Sequence, residues 1–185
     1  MEPRKTSEQA SAAWVIEPAY TTAQFWIRNL GMFTVRGSFG DITGTIVRDD
    51  VDIKRSWVEA TIKAATVATR NERRDSHLRS ASFLDVAEFP EIGYKSTSVE
   101  RGTDRDMLRI KGLLTIRGKS REVTLDVTEV DHSRSPQGAD VAYYTAVTRI
   151  DRFDFGVRYG LGLIGRTVNI RIHVQALRYG SGPGE

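Results

Sequence analysis

The chain has 185 residues, of which 39% are hydrophobic and 28% charged, and its 27 Lys and Arg against 24 Asp and Glu leave a formal charge of +3. Such a length fits one domain with a real core, and such a composition excludes a disordered or fibrous chain. The absence of cysteine excludes disulfides, thiolate metal sites and cysteine nucleophiles, and the interleaving of both charge signs, with Arg70 to Arg79 the one locally basic run, argues against nucleic-acid binding.

Residues 1–13 carry Glu2, Arg4, Lys5 and Glu8 without an apolar run. They read as a flexible tail, neither signal peptide nor membrane anchor, which leads to the expectation of a cytoplasmic protein with no membrane span. Trp14 to Glu17 starts the ordered part as a short edge strand or strand start ended by Pro18. Phe25 and Ile27 then alternate with polar or mixed neighbours, and Phe33, Val35, Gly37 and Phe39 continue on odd positions. From Ile42 the apolar positions are even, so a bend or bulge is expected near Gly40-Asp41.

Trp57 to Val67 reads as a long strand with Val58, Ala60, Ile62 and Ala64 on one face. Asn71 to Pro90 breaks the strand pattern. Arg73, Arg74, Asp75 and His77 fall within five positions, followed by Leu78, Phe83, Leu84 and Phe89, and Asn71 is a helix N-cap for a short helix over 71–82. Strands resume at Ile92 to Glu100, at Met107 to Ile116 and around Val123, Leu125 and Val127, with turns at Gly102-Asp104 and Arg117-Lys119. Ser133 to Gly138 reads as a loop, and Val141, Tyr143, Thr145 and Val147 as one face of the next strand. Val168, Ile170, Ile172, Val174 and Ala176 alternate without a miss, and residues 179–185 form a second flexible tail.

About eight strands joined by short turns, with one helical insertion, predict an all-β antiparallel domain over 14–178. The parity switch, the strand glycines and the strand length favour an elongated barrel over a sandwich. Ala60, Ala64, Gly37, Gly44 and Gly112 keep the inner face small, which predicts a lumen able to take a long chain-like ligand.

Five segments in a fixed order resemble the YceI family of lipocalin-like proteins: W-V-I-E from Trp14, V-R-G-S-F-G-D-I-T-G-T-I from Val35, R-D-S-H-L-R-S-A-S-F-L-D-V with the later F-P, K-G-L-L-T-I-R-G from Lys111, and R-F-D-F-G from Arg152. The resemblance spans Trp14 to about Leu177. It implies an elongated barrel with a helix near its mouth and binding of polyisoprenoids or other long-chain lipids or amides. Where the family pattern has an Asp, a His-Ser pair and a later His, this chain has Glu17, Tyr20-Thr21 and Asn29. If those histidines hold a polar head group, the preferred head group differs here.

Gly160-Leu-Gly-Leu-Ile-Gly165 fits the dinucleotide fingerprint literally, but a strand rather than a helix follows, so it reads as a loop at the barrel mouth. The three histidines, His77, His132 and His173, have no metal-ligand spacing, and neither a metal nor a cofactor is expected. The expected lining is Phe25, Ile27, Phe39, Ile62, Phe83, Leu84, Ile110, Leu114, Tyr143 and Phe155, with Phe89 also turned inward. Arg74, Asp75, His77 and Arg152 are expected at the cap, anchoring it or touching a head group, and Arg152 could pair with Asp75. The leading expectation is non-catalytic binding, storage or transport of a polyisoprenoid, isoprenoid quinone or long-chain acyl or amide lipid in the barrel lumen. The alternatives are an enzyme acting on such a lipid through a His77/Asp75 acid-base pair, without a nucleophile elbow, and a module that forms a homodimer through an exposed sheet edge.

Overall fold

The computed structural model describes residues 11–104 and 106–178, so the expected tails lie outside the described residues except for 11–13, which open the first strand. Ten strands follow in order: β1 (Ser11–Ile16), β2 (Thr22–Asn29), β3 (Phe33–Phe39), β4 (Ile42–Asp49), β5 (Trp57–Lys63), β6 (Glu91–Arg101), β7 (Met107–Ile116), β8 (Lys119–Arg134), β9 (Asp140–Asp151) and β10 (Thr167–Arg178). One α-helix, α1 (Glu72–Arg79), interrupts them between β5 and β6.

All pairings are antiparallel, and β1 closes the sheet by pairing with β10 at Val15↔Leu177 and Ile16↔Ala176. β1 and β2 share one edge of β10, separated by a 3-10 turn at Pro18–Tyr20 that Glu17 caps. β3 and β4 lie antiparallel to them, against β2 and β1 respectively. Counting each of these interrupted pairs as one long strand gives a closed, up-and-down barrel of eight strands. Trp14 to Glu17 is therefore no edge: β1 has neighbours on both sides, because Pro18 falls after the strand has ended. An edge remains at β3, which pairs only with β2 apart from the single bridge Ser38↔Ala68.

The break between β3 and β4 sits where the hydrophobic parity changes. Asp41 takes a left-handed conformation with φ of 48°, which an aspartate tolerates better than most residues. This turns Ile42 and Ile46 to the side already faced by Val35 and Phe39. Arg117 and Gly118, both with positive φ, make the two-residue turn between β7 and β8.

The strand glycines act differently from expectation. A Cβ on Gly37 would lie 2.4 Å from Phe25 Cζ, and one on Gly112 would lie 2.6 Å from Tyr94 Cζ. These glycines let aromatic rings cross the lumen wall, so they do not widen the lumen. Gly44 is held by backbone instead, with the Glu59 carbonyl 2.2 Å from its ideal Cβ position.

On β9 the inner face is the even one. Register with β10 sets Ile150, Thr148, Ala146 and Tyr144 opposite Val168, Ile170, Ile172 and Val174, so Tyr143 points outward, contrary to expectation. Apolar residues occupy both faces of β9, and its short visible pattern alone could not choose between them. β5 ends at Lys63, earlier than expected, and a 3-10 turn carries Ala64 away from the lumen. β8 runs on to Arg134, into the stretch read as loop.

Gly44→Ala must push the Glu59 backbone aside, and a loss of about 1–3 kcal/mol is expected in a denaturant melt. Gly93→Ala, whose new methyl meets nothing within 4 Å at an ordinary strand φ, is expected to be neutral or to stabilise by about 0.5–1 kcal/mol.

Three carboxylates tie the loops at the barrel ends, each held below its ordinary pKa. For Asp49 the first cause is the Asp52 backbone N–H, opposed by burial and aided by the Val51 N–H and Arg55. For Asp140 it is the hydrogen bond from Arg178, and for Asp151 that from Arg166. A depressed folded pKa gives stability that is present above the unfolded value of about 4 and is lost as pH falls through the folded one. Thermal midpoints should therefore fall on acidification below about pH 4, and Asp140→Asn should flatten that dependence.

Candidate functional site

The inner faces enclose a cavity of about 460 Å³. Ile42, Ile46, Ile62, Ile110, Leu125 and Ile170 are among the side chains that line it. Its wall is reached at one end by Trp57 and at the other by Tyr159, which are 43% and 51% exposed. Of the expected lining, Phe25, Ile27, Phe39, Ile62, Phe83, Leu84, Ile110, Leu114 and Phe155 face the cavity. Tyr143 does not; Tyr144 takes that place.

α1 covers the Tyr159 end. Asn71 caps it by accepting a hydrogen bond from the Arg74 N–H at 2.9 Å. Arg74, His77 and Leu78, spaced three and four apart, turn toward the cavity. The His77 ring meets Phe83 and Tyr159 edge-on, with centroids 5.0 and 4.6 Å apart, and Phe83 meets Tyr159 at 5.1 Å. Three aromatic rings thus join the helix, the segment after it and the β9–β10 loop. Phe89 stays out of the lumen and packs on the turn at Gly118.

The polar groups of the cap are satisfied by the protein itself. Asp75 is 5% exposed and accepts from both the N–H and the hydroxyl of Thr69. Arg74 Nε donates to the same hydroxyl at 2.7 Å, and its Nη2 donates to the Thr69 carbonyl at 2.9 Å. Arg152, also 5% exposed, donates to the carbonyls of Val157, Tyr159, Ile164 and Gly165 at 2.8–3.0 Å. It forms no pair with Asp75 but closes the whole β9–β10 loop around one guanidinium. His77 and Asp75, the acid-base pair of the enzymatic alternative, stand two positions apart on a helix and face different ways, and no hydrogen bond joins them among the described residues.

The opposite end holds polar groups that the sequence reading missed. Arg48 follows Ile42, Gly44 and Ile46 on the inner parity of β4, and the pattern already pointed a charge inward there. Its guanidinium meets Asp50 at 2.8 Å and Glu129 at 2.7 Å. Beside it stands Tyr144, 8% exposed, whose buried hydroxyl lies against the Arg48 guanidinium and finds no acceptor for its own proton. Burial pushes the Tyr144 phenol pKa up, so its hydroxyl remains a donor at neutral pH. Tyr94, a second tyrosine on the cavity wall, instead donates to the Ile110 carbonyl at 3.0 Å. Among the described residues no cluster of three His, Cys, Asp or Glu is placed to hold a metal.

The sequence model of the YceI-like domain matches residues 14–176. The chain belongs to the YceI family. Protein YceI of Escherichia coli O157:H7 is 33% identical over 162 residues, covering 88% of this chain and 84% of that one. Protein YceI of Salmonella heidelberg is 34% identical over the same length and shares. Among solved structures, the Campylobacter jejuni YceI protein superposes with a TM-score of 0.70 at 25% identity, covering 83% of this chain and 91% of that one. Burkholderia cenocepacia BcnA gives 0.77 at 18% identity, with 86% and 98% covered. A polyisoprenoid binding domain from Saccharophagus degradans gives 0.66 at 13% identity, with 91% and 99% covered. The family-typical barrel with one helix at its end is the fold found here. Of the three departures from the family pattern, only Asn29 reaches the cavity; Thr21 is buried in a hydrogen bond to Gln175, and Glu17 caps the 3-10 turn.

Arg152→Lys keeps the charge but cannot reach four carbonyls with one ammonium. A loss of about 2–4 kcal/mol is expected in denaturant unfolding, together with faster proteolysis within residues 157–165.

Proposed function

We propose that the protein binds one long, largely apolar lipid inside its barrel and carries it without chemical change. The observation that carries this reading is the closed lumen, whose wall is apolar along its length and whose polar side chains gather at the ends. Each buried methylene of a ligand contributes about 0.8 kcal/mol before the costs of association are subtracted, so a chain needs no hydrogen bond to bind tightly. The polyisoprenoid binding that names one structural neighbour supports the same reading.

The polar head is assigned to the Arg48–Tyr144 end and the tail to the helix-capped end. Arg74, Asp75 and Arg152, the residues first expected to meet a head group, spend their hydrogen bonds within the cap, whereas the Tyr144 hydroxyl is left to donate. Arg48 already faces two carboxylates, which disfavours an anionic head and favours a neutral carbonyl, as in a quinone, an amide or an ester. Separation of His77 from Asp75 supports binding over turnover.

Solvent extraction of the purified protein followed by mass spectrometry should release a lipid with a long apolar chain. Ala146→Phe, which projects a ring into the lumen, should yield a folded protein without it. Tyr144→Phe should weaken binding of a chain with a neutral carbonyl head by about tenfold and leave binding of a headless hydrocarbon of equal length unchanged. Clean extracts and no uptake of either probe would sink the lipid reading; equal affinity of the wild-type protein for both probes would sink the head-group assignment alone.

A further inference from the structure

At the helix-capped end, the β2–β3 turn and the β9–β10 loop lie side by side. The Leu30 N–H donates to the Leu163 carbonyl at 2.7 Å, the Gly165 N–H donates to the Arg28 carbonyl at 2.8 Å, and Asn29 pairs with Ile164. The two tips together expose Leu30, Met32, Phe33, Tyr159, Leu161 and Leu163, with Met32 at 79% and Leu161 at 71%. Six large apolar side chains on two hydrogen-bonded tips form a contiguous protrusion, unlike the single exposed apolar residues normal on a soluble surface.

Two further features surround this protrusion. Asn29, Tyr159 and Ile164 belong to the same tips and also line the cavity, so the apolar surface is continuous with the lumen. Arg28, Arg36 and Arg158 are exposed near it, and none has a carboxylate within ion-pair distance among the described residues. Of the acids at this end, Asp151 is engaged by Arg166, Glu72 by Arg79 and Asp85 by Arg117, while Asp154 and Glu88 are exposed.

We infer that these two tips insert into the interface of an anionic lipid bilayer, with Arg28, Arg36 and Arg158 on the head groups and the mouth of the barrel held against the acyl region. Aliphatic side chains at loop tips can enter the head-group boundary, and arginines at their base add attraction to anionic lipid that salt screens. The inference takes its purpose from the lipid-carrying reading, since a tail-first exit at this end would pass straight into hydrocarbon. Its test does not depend on that reading.

The purified protein is sedimented with vesicles of phosphatidylcholine alone and with vesicles of equal parts phosphatidylcholine and phosphatidylglycerol. Binding is expected to the mixed vesicles and to weaken with salt. Met32→Glu combined with Leu161→Glu, neither of which lines the cavity, should abolish it while the thermal midpoint holds. Arg36→Gln with Arg158→Gln should weaken it by about thirtyfold, and Val51→Glu with Val130→Glu, away from the tips, should leave it unchanged. Failure of the wild-type protein to bind mixed vesicles, or binding by the Met32/Leu161 variant equal to wild type, would overturn the inference. So would a vesicle-free dimer in sedimentation velocity that the same variant dissociates, because a second copy would then be the occupant of the tips. Lipid recovered by extraction from the Met32/Leu161 variant keeps the carrying reading separate from either result.

Discussion

Closure of the sheet by β1 on β10 is the constraint on which the remaining structure depends. It rests on few contacts: two residue pairs, the Glu17 N–H on the Gln175 carbonyl at 2.8 Å, and the Thr21 hydroxyl bonded to the Gln175 backbone on both sides. An open sheet of this length would expose a row of unpaired donors and acceptors and an apolar face. Closed, the strands satisfy one another's backbone around the ring, except along the outer edge of β3, which has only the Ser38↔Ala68 bridge, and the apolar face is turned inward. An enclosed apolar lumen is thus a consequence of pairing as much as of the residues that line it. The 3-10 turn at Pro18–Tyr20 lets one stretch of chain serve as both β1 and β2 along the same edge of β10, which is why so short a pairing suffices.

Polar accounting separates the two ends of the barrel. At the capped end every buried charge has its partners: Arg152 holds four carbonyls, and Asp75 and Arg74 converge on Thr69. A buried charge satisfied in this way fixes geometry and has little left to offer a ligand. At the other end the buried Tyr144 hydroxyl beside Arg48 has no acceptor for its proton, an arrangement that costs free energy unless something accepts it. The asymmetry gives the cavity a direction, which a uniformly apolar tube would lack.

The strands and the helix were readable because both depend on local periodicity. β10 alternates without fault, Asn71 is a capping residue ahead of α1, and the parity change at Gly40-Asp41 marks a real left-handed residue. Facing was harder where both faces of a strand are apolar. On β9, Tyr143 and Tyr144 are equally plausible from sequence, and the choice is made by register against β10, a long-range fact. Glycines misled for a related reason: small residues suggest space, but Phe25 and Tyr94 come from other strands to fill it. The Arg48–Tyr144 end was missed because its members lie far apart in the chain. Only the inward parity of Arg48 hinted at it.

The dense run of charge around His77 looks like chemistry in sequence and serves closure in space. Neighbours within five positions on a helix point in different directions, so local density of reactive residue types says little about a site. What those residues share is a boundary. Asp75 and Arg74 turn back to the strand connection at Thr69, while His77 turns to Phe83 and Tyr159 over the lumen. The cap is therefore firmly bonded on its β5 side and held only by ring contacts on its β9–β10 side. If the mouth opens, the physical weak point is the His77–Tyr159 contact, because edge-on aromatic pairs contribute about 1 kcal/mol whereas the hydrogen bonds around Thr69 and Arg152 would each leave buried polar groups unpaired. Opening there would part the helix from the loop that carries Leu161 and Leu163, and would expose the lumen beside the apolar tips.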